Sequence, residues 1–380
     1  MIKVLSIFGT RPEAIKMAPV VKALENDKNI ESMVAVTGQH REMLDQVLAL
    51  FKITPNFDLD IMKPNQDLYD ITSKVLLGVR DILKNCNPDI VLVHGDTTTC
   101  FAAGLAAFYQ NIPVGHVEAG LRTGNIKAPY PEEANRSLVA RLTSLHFAPT
   151  LKAKENLLNE GVSEDSIFIT GNSVIDALIS VRGKLQGYSA EKWAPELPLS
   201  CINRIEKKPH RLILVTGHRR ENFGQGFIDF CNALATIAKE KPDWLIVYPV
   251  HLNPNVQKPV NELLSKYDNI ILIEPQDYLP FVWLLDKCDL VITDSGGLQE
   301  EAPSFGKPVL VTRDVTERPE AVEAGTVRLV GTSTKRIVSN TLEILCNDHI
   351  YKKMSEAHNP YGDGHAATKI TDAILGFHNL

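Results

Sequence analysis

The chain has 380 residues, more than one hydrophobic core ordinarily serves, so two domains are expected. Hydrophobic residues at 44% and charged residues at 23% are the proportions of an ordinary globular protein and exclude extensive disorder. A net charge of −6 excludes the broad basic surface on which nucleic-acid or anionic-membrane binding rests, so any phosphate site must be local.

The apolar opening, Met1 to Gly9, is too short for a signal sequence, and Arg11 follows at once. No stretch reaches a membrane-spanning length. Six cysteines without a Cys-x-x-Cys pair, mostly within apolar periodic segments, read as reduced core residues of a cytoplasmic protein.

Taken in chain order, short apolar runs predict strands at Lys3–Phe8, Met33–Thr37, Ile90–His94, Val114–Val117, Leu145–Ala148 and Ile167–Thr170, with helix-like periodicity between most of them. The same alternation returns at Arg211–Thr216, Leu245–Val250, Ile270–Ile273, Leu290–Thr293 and Val309–Thr312. It implies two α/β domains, each a doubly wound, Rossmann-like parallel sheet covered on both faces. The boundary is placed at Gly171-Asn172, ahead of a helix around Val174–Gly183, and Leu185–His210 reads as a surface connection within the second domain. In such sheets ligands bind beyond the carboxyl ends of the strands, and a cleft between two domains would collect both sets of strand ends.

The first strand ends in Gly9-Thr10-Arg11-Pro12-Glu13, with Lys16 one turn into the helix that Pro12 opens. The third predicted strand ends in Gly95-Asp96, the fourth in Glu118-Ala119-Gly120, and Pro131-Glu132-Glu133 starts another helix. Asp96, Glu118 and Glu132 would therefore converge. Mutual repulsion in a desolvated site raises at least one carboxyl pKa and leaves one protonated acid beside one ionised base, which suits proton transfer. The plainer alternative is helix capping and pairing with Arg122 and Arg136.

In the second half, Gly217-His218-Arg219 follows a strand and offers an imidazole and a guanidinium to an oxyanion. Gln276, Tyr278 and Phe281 offer an amide and aromatic faces to a base, although Phe281 is as easily core. His251, Arg313 and Arg318 complete the polar strand ends. Asp294-Ser295-Gly296-Gly297 has the strand, glycine turn and helix start that favour a phosphate, with Glu300 and Glu301 one turn inside to accept from ribose hydroxyls. Asp58-Leu59-Asp60 and Gly362-Asp363-Gly364 are weak matches to metal and dinucleotide motifs and lack the required context. A metal-independent reaction without a cofactor is favoured.

Together, Gly9-Thr10-Arg11-Pro12-Glu13, His94-Gly95-Asp96-Thr97, His116-Val117-Glu118-Ala119-Gly120, Pro131-Glu132-Glu133, Gly217-His218-Arg219, Asp294-Ser295-Gly296-Gly297, Thr316-Glu317-Arg318-Pro319-Glu320 and Asn359-Pro360-Tyr361-Gly362-Asp363-Gly364 resemble the non-hydrolysing UDP-N-acetylglucosamine 2-epimerases over nearly the whole chain. The resemblance implies a glycosyltransferase B-like pair of domains, 1–170 with a returning helix at 365–380, and 171–364, assembled as a homodimer. It implies interconversion of UDP-GlcNAc and UDP-ManNAc through elimination of UDP to 2-acetamidoglucal and re-addition, supplying ManNAc for surface polysaccharide. Asp96, Glu118, Glu132 and His218 would be catalytic. Arg11, Lys16, Gln276, Phe281, Ser295, Gly296, Gly297, Glu301 and Arg318 would hold the nucleotide sugar. Gln39, His40, Arg219 and His251 match a second, activating UDP-GlcNAc site, whose usual Gln-x-x-Gln segment here carries Glu42. A retaining glycosyltransferase, a hydrolysing epimerase and a nucleotide-sugar-binding regulator without C2 proton exchange are the competing readings.

Overall fold

The computed structural model describes residues 1–38, 41–63, 66–185, 192 and 197–379. It divides into two compact units, Met1–Ser180 with Tyr361–Leu380, and Val181–Pro360.

The first unit is built on seven strands: β1 (Ile2–Phe8), β2 (Ile30–Val36), β3 (Phe57–Asp58), β4 (Ile90–His94), β5 (Val114–Val117), β6 (Leu145–Ala148) and β7 (Ile167–Ile169). They are all parallel, in the order β3-β2-β1-β4-β5-β6-β7. The second unit has β8 (Leu212–Thr216), β9 (Leu245–Pro249), β10 (Ile270–Ile273), β11 (Leu290–Thr293), β12 (Val309–Val311) and β13 (Val327–Leu329). Its order, β10-β9-β8-β11-β12-β13, is likewise wholly parallel. Both sheets therefore reverse direction of winding beside their first strand, between β1 and β4 and between β8 and β11. Ligands of doubly wound sheets bind beyond the carboxyl ends at such a point.

Strands buried on both faces explain the unbroken apolar runs: Val4, Leu5, Ile7 and Phe8 of β1 and Leu290 to Ile292 of β11 are fully enclosed. Two edge strands, β3 and β13, are absent from the sequence expectation. β3 has only two residues, and β13, no shorter than β7 or β12, has its apolar run broken by Arg328.

The boundary also differs from 170/171. The helix Ser173–Leu185 belongs to the first unit as far as Ser180. Its Asp176 carboxylate explains this, accepting from Ala366 N at 3.2 Å and Ala367 N at 2.9 Å and so capping the returning helix Ala366–Phe377. That helix packs on Arg11–Asn26. Within the predicted surface connection, Leu199–Glu206 forms an amphipathic helix that buries Cys201, Ile202 and Ile205, so part of it serves the second core. No helix among the described residues is long and apolar enough to cross a membrane.

Backbone demands concentrate after β5. Glu118 has φ 64° and Gly120 φ 89°, both left-handed. A β-carbon on Gly120 would lie 2.3 Å from the carbonyl oxygen of Ala153. Gly120→Ala is accordingly expected to destabilise the fold by about 3 kcal/mol or more, measured by urea unfolding. A loss under about 1 kcal/mol would show that the turn relaxes around a methyl group.

Candidate active site

In the first unit the chain leaves β1 through Gly9, and Thr10 caps the helix Arg11–Asn26 in a reciprocal box with Glu13. Glu13 is buried and does more than cap. Its Oε2 accepts from Gly9 N at 3.0 Å, Thr10 N at 2.8 Å and Thr10 Oγ1 at 2.8 Å, while Oε1 accepts from Thr97 Oγ1 at 2.6 Å. Thr97 itself caps the helix Thr98–Tyr109 after β4. One carboxylate thus fastens the turns on either side of the switch between β1 and β4. Arg11 stands at the first helical position, half-buried, and Lys16 one turn further along.

Lys16 forms an ion pair with Glu118 Oε2, in which the side chains are 15% and 8% exposed. The same oxygen lies 3.2 Å from Asn172 Nδ2 and 3.4 Å from His94 Nε2. Burial alone would raise the Glu118 carboxyl, but the Lys16 charge and the His94 contact outweigh it and hold the group well below the usual carboxylate range. Of the protonated acid and ionised base expected of the cluster, Glu118 fits the ionised one, because a cation arrives with it. Placing Glu118 with a left-handed backbone costs about 1–2 kcal/mol, which the surrounding contacts must offset.

Asp96 has its own cation, Arg136. Asn135 Nδ2 donates to the Asp96 carbonyl at 2.9 Å, so the first turn of the helix Glu132–Leu142 sits on the Asp96 loop. Glu132 opens that helix, half-buried, its carboxylate without a hydrogen bond or ion pair to any described residue. Glu133, overlooked beside it, is buried and accepts from Thr123 N at 3.0 Å and Gly124 N at 3.1 Å, with Arg136 Nη1 at 3.4 Å. The alternative of plain pairing holds for Arg136 but not for Arg122, which grips Glu160 through two bonds of 2.6 and 2.9 Å. His116 supports the turn after β4: its Nε2 lies 2.7 Å from the Gly95 carbonyl, and burial lowers its pKa to about 3, so the ring is neutral and donates.

In the second unit the organising residue is Asp294, buried at the end of β11. Its Oδ2 accepts from His218 N and Arg219 N at 2.8 Å each, drawing the loop after β8 onto the neighbouring strand end. The His218 ring is half exposed, with Nδ1 3.6 Å from Asp294 Oδ1, and stacks on His251 at 5.2 Å and 11° between planes. Burial, and then His218, lower the His251 pKa. Arg219 is half-buried beside them.

Beyond β11, Ser295 occupies the cap position and the helix Gly296–Glu301 begins at the two glycines. A β-carbon on Gly296 would be 3.1 Å from Arg318 Cζ, so the guanidinium lies directly against the helix start. Glu300, buried, holds Arg318 Nε at 2.7 Å. Glu300 and Glu301 consequently differ, although the sequence placed both one turn inside as ribose acceptors. The first is committed to Arg318, and the second is half-buried with Oε1 3.3 Å from where a Gly297 β-carbon would stand. Arg313 fixes the flanking loops, bonding Glu317 at 2.8 and 3.1 Å and Glu221 at 2.7 Å. Burial opposes ionisation of Glu317, yet the Arg313 bonds bring its pKa down to about 2.

Gln276 donates to the Glu274 carbonyl at 2.7 Å, while its Oε1 and the Tyr278 hydroxyl are buried without a partner among the described residues. An unused acceptor and a hydroxyl fit the polar edge of a base. Phe281 is half-buried on the helix Tyr278–Lys287. Of the residues matched to an activating site, Gln39 and His40 lie outside the described residues. Asp58, the weak metal match, is the ion-pair partner of Arg41.

Comparison with known proteins identifies the family. A family model described as UDP-N-acetylglucosamine 2-epimerase matches residues 22–375. The UDP-N-acetylglucosamine 2-epimerase of Escherichia coli (strain K12) is 59% identical over 372 residues, 98% of each chain. The crystal structure of UDP-GlcNAc 2-epimerase from Neisseria meningitidis bound to UDP-GlcNAc superposes with a TM-score of 0.87 at 51% identity, covering 99% of this chain and 100% of that one. A glycotransferase of kitacinnamycin, 12% identical with a TM-score of 0.64 over 100% of this chain and 99% of its own, shares the fold alone and extends the likeness to glycosyltransferase B-like architecture. With strand-end acids in one unit, a glycine turn under an arginine in the other, and this degree of likeness along the whole chain, the protein belongs to the UDP-N-acetylglucosamine 2-epimerase family.

Proposed function

We propose that the protein interconverts UDP-GlcNAc and UDP-ManNAc by inverting C2 without hydrolysis. One observation carries the acid–base part of this reading: Glu118, at the carboxyl end of β5, is held ionised by Lys16 and His94. The C2 proton is not beside a carbonyl carbon and is weakly acidic, so its removal must accompany departure of a stabilised leaving group. In the proposed elimination the C2–H bond breaks and its proton passes to a carboxylate. The electron pair forms C1=C2, and the C1–O bond gives its pair to UDP, leaving 2-acetamidoglucal.

Re-addition reverses each change, with the proton delivered to the opposite ring face. Groups on two sides of the sugar are therefore required. Glu118 enters as the ionised member, and Asp96 and Glu132 are the remaining acids. Arg11, His218, Arg318 and the amides at Ser295 to Gly297 suit the diphosphate, Gln276 and Phe281 the base, and Glu301 the ribose. Lys16, paired with Glu118 before substrate arrives, links the proton-transfer group to the anion it helps release. The family likeness supports extending the reading to a homodimer and to UDP-ManNAc serving surface polysaccharide.

NMR of UDP-GlcNAc incubated with the protein in D₂O tests the reaction. The expected product is UDP-ManNAc carrying deuterium at C2. Unlabelled epimer would reject solvent proton exchange, free ManNAc with UDP would indicate hydrolysis, and turnover only with an added acceptor sugar would indicate a glycosyltransferase.

A further inference from the structure

Three groups in the first unit converge on one oxygen of Glu118: Lys16 Nζ, Asn172 Nδ2 at 3.2 Å and His94 Nε2 at 3.4 Å all address Oε2. Oε1 takes no hydrogen bond from a described residue. The carboxylate is thus anchored through one atom and offers the other. Lys16 and Asn172 donate to it, while His94 Nε2 makes no hydrogen bond, and the two donors differ in stiffness. Lys16 reaches Glu118 on a flexible four-carbon stem, whereas Asn172 has a short side chain whose other end is also fixed.

Asn172 Oδ1 accepts from Val174 N at 3.0 Å, capping the helix Ser173–Leu185, and its backbone N–H donates to the Tyr361 carbonyl at 2.7 Å. The chain returning at Tyr361 can come this close because two glycines cross there. Gly171 has φ 86° and Gly362 φ 133°, and a β-carbon on either would lie 3.1 and 3.3 Å, respectively, from the other's Cα. Tyr361 is itself buried. The amide that touches Glu118 is therefore braced by a segment almost 190 residues further along the chain, as the pairing of residue 172 with 361 shows.

We infer that Asn172 is a positioning residue for the epimerisation proposed above. It locks Glu118 Oε2 so that Oε1 is the atom that exchanges the C2 proton, and the Tyr361–Gly362 crossing keeps Asn172 in place. This inference rests on that reading of the reaction. No part of it requires Asn172 to touch substrate.

Asn172→Ser is the cleanest test, because serine caps a helix as well as asparagine, keeps the backbone N–H for Tyr361, and cannot reach Glu118. Asn172→Asp keeps the shape and the cap but replaces the donor by an acceptor. For the full chain with UDP-GlcNAc, kcat is expected to fall at least about tenfold in both variants while KM stays within about twofold. The melting temperature is expected to stay within about 4 °C of wild type. Losses of kcat below about fivefold in both would overturn the inference, as would losses matched by an equal loss of folded protein. Failure of the wild-type protein to epimerise UDP-GlcNAc would instead sink the reaction itself, so the two failures are told apart by the wild-type control.

Discussion

Replacing Glu118 by Gln is expected to lower kcat for epimerisation about a thousandfold, in the range of general acid–base contributions, with little change in KM for UDP-GlcNAc. The reason is electrostatic and local. Glutamine keeps the volume and can still accept from Asn172 and Lys16, but it cannot take up a proton under these conditions. Exchange of the C2 hydrogen with D₂O should be lost in parallel, since both readouts depend on the same proton transfer. Lys16 loses its counter-charge in this variant. It remains 15% exposed, so water can solvate it in part, and a moderate fall in melting temperature is expected rather than unfolding. A variant retaining more than about a tenth of wild-type kcat would remove Glu118 from the chemistry.

Glu13→Ala is expected to carry the second large effect, first on stability and then on turnover. Four donors converge on this buried carboxylate: Gly9 N, Thr10 N, Thr10 Oγ1 and Thr97 Oγ1. Alanine leaves them without an acceptor in an enclosed site. A cost of about 3 kcal/mol follows from orphaning such groups, equivalent to roughly 6–12 °C in melting temperature for a unit of this size. The turn that presents Arg11 and Lys16 and the turn that presents Asp96 would then lose their common fastening. Activity should fall even at temperatures where the variant is folded. A melting temperature within about 2 °C of wild type would show that water replaces the carboxylate at no cost.

Much of this architecture is legible in the sequence because the physics is local. A strand enclosed on both faces must be apolar throughout, and a glycine or acidic residue directly after it marks the carboxyl end where ligands bind. That is why Asp96, Glu118, His218 and Ser295 to Gly297 stand out before any fold is known. The Thr10-x-x-Glu13 cap is equally readable, since it spans a single turn. The other half of Glu13's role is not, because Thr97 is 84 positions away. Asn172 against Glu118, 54 positions apart, is hidden for the same reason.

Which acid is the ionised one is hidden for a related reason. Acids at neighbouring strand ends suggest repulsion, and only the fold reveals that Lys16, from a different strand end, pairs with one of them. Periodicity cannot tell Glu300 from Glu301 in a helix of six residues, so only the resemblance singles out Glu301; burial of Glu300 against Arg318 gives the physical difference. Strand β3 escaped through brevity, and β13 because Arg328 interrupts its apolar run.

The first unit is interrupted in sequence by the second, since residues 361–380 complete what 1–180 begin. During synthesis on the ribosome, residues 181–360 must emerge before the helix that covers Arg11–Asn26 and the carbonyl that braces Asn172 exist. A nascent polypeptide can therefore assemble most of the first sheet early, but the setting of Glu118 is finished only when translation has passed Tyr361. Premature termination before Tyr361 should yield a product that lacks this brace, so acid–base competence is tied to arrival of the returning segment.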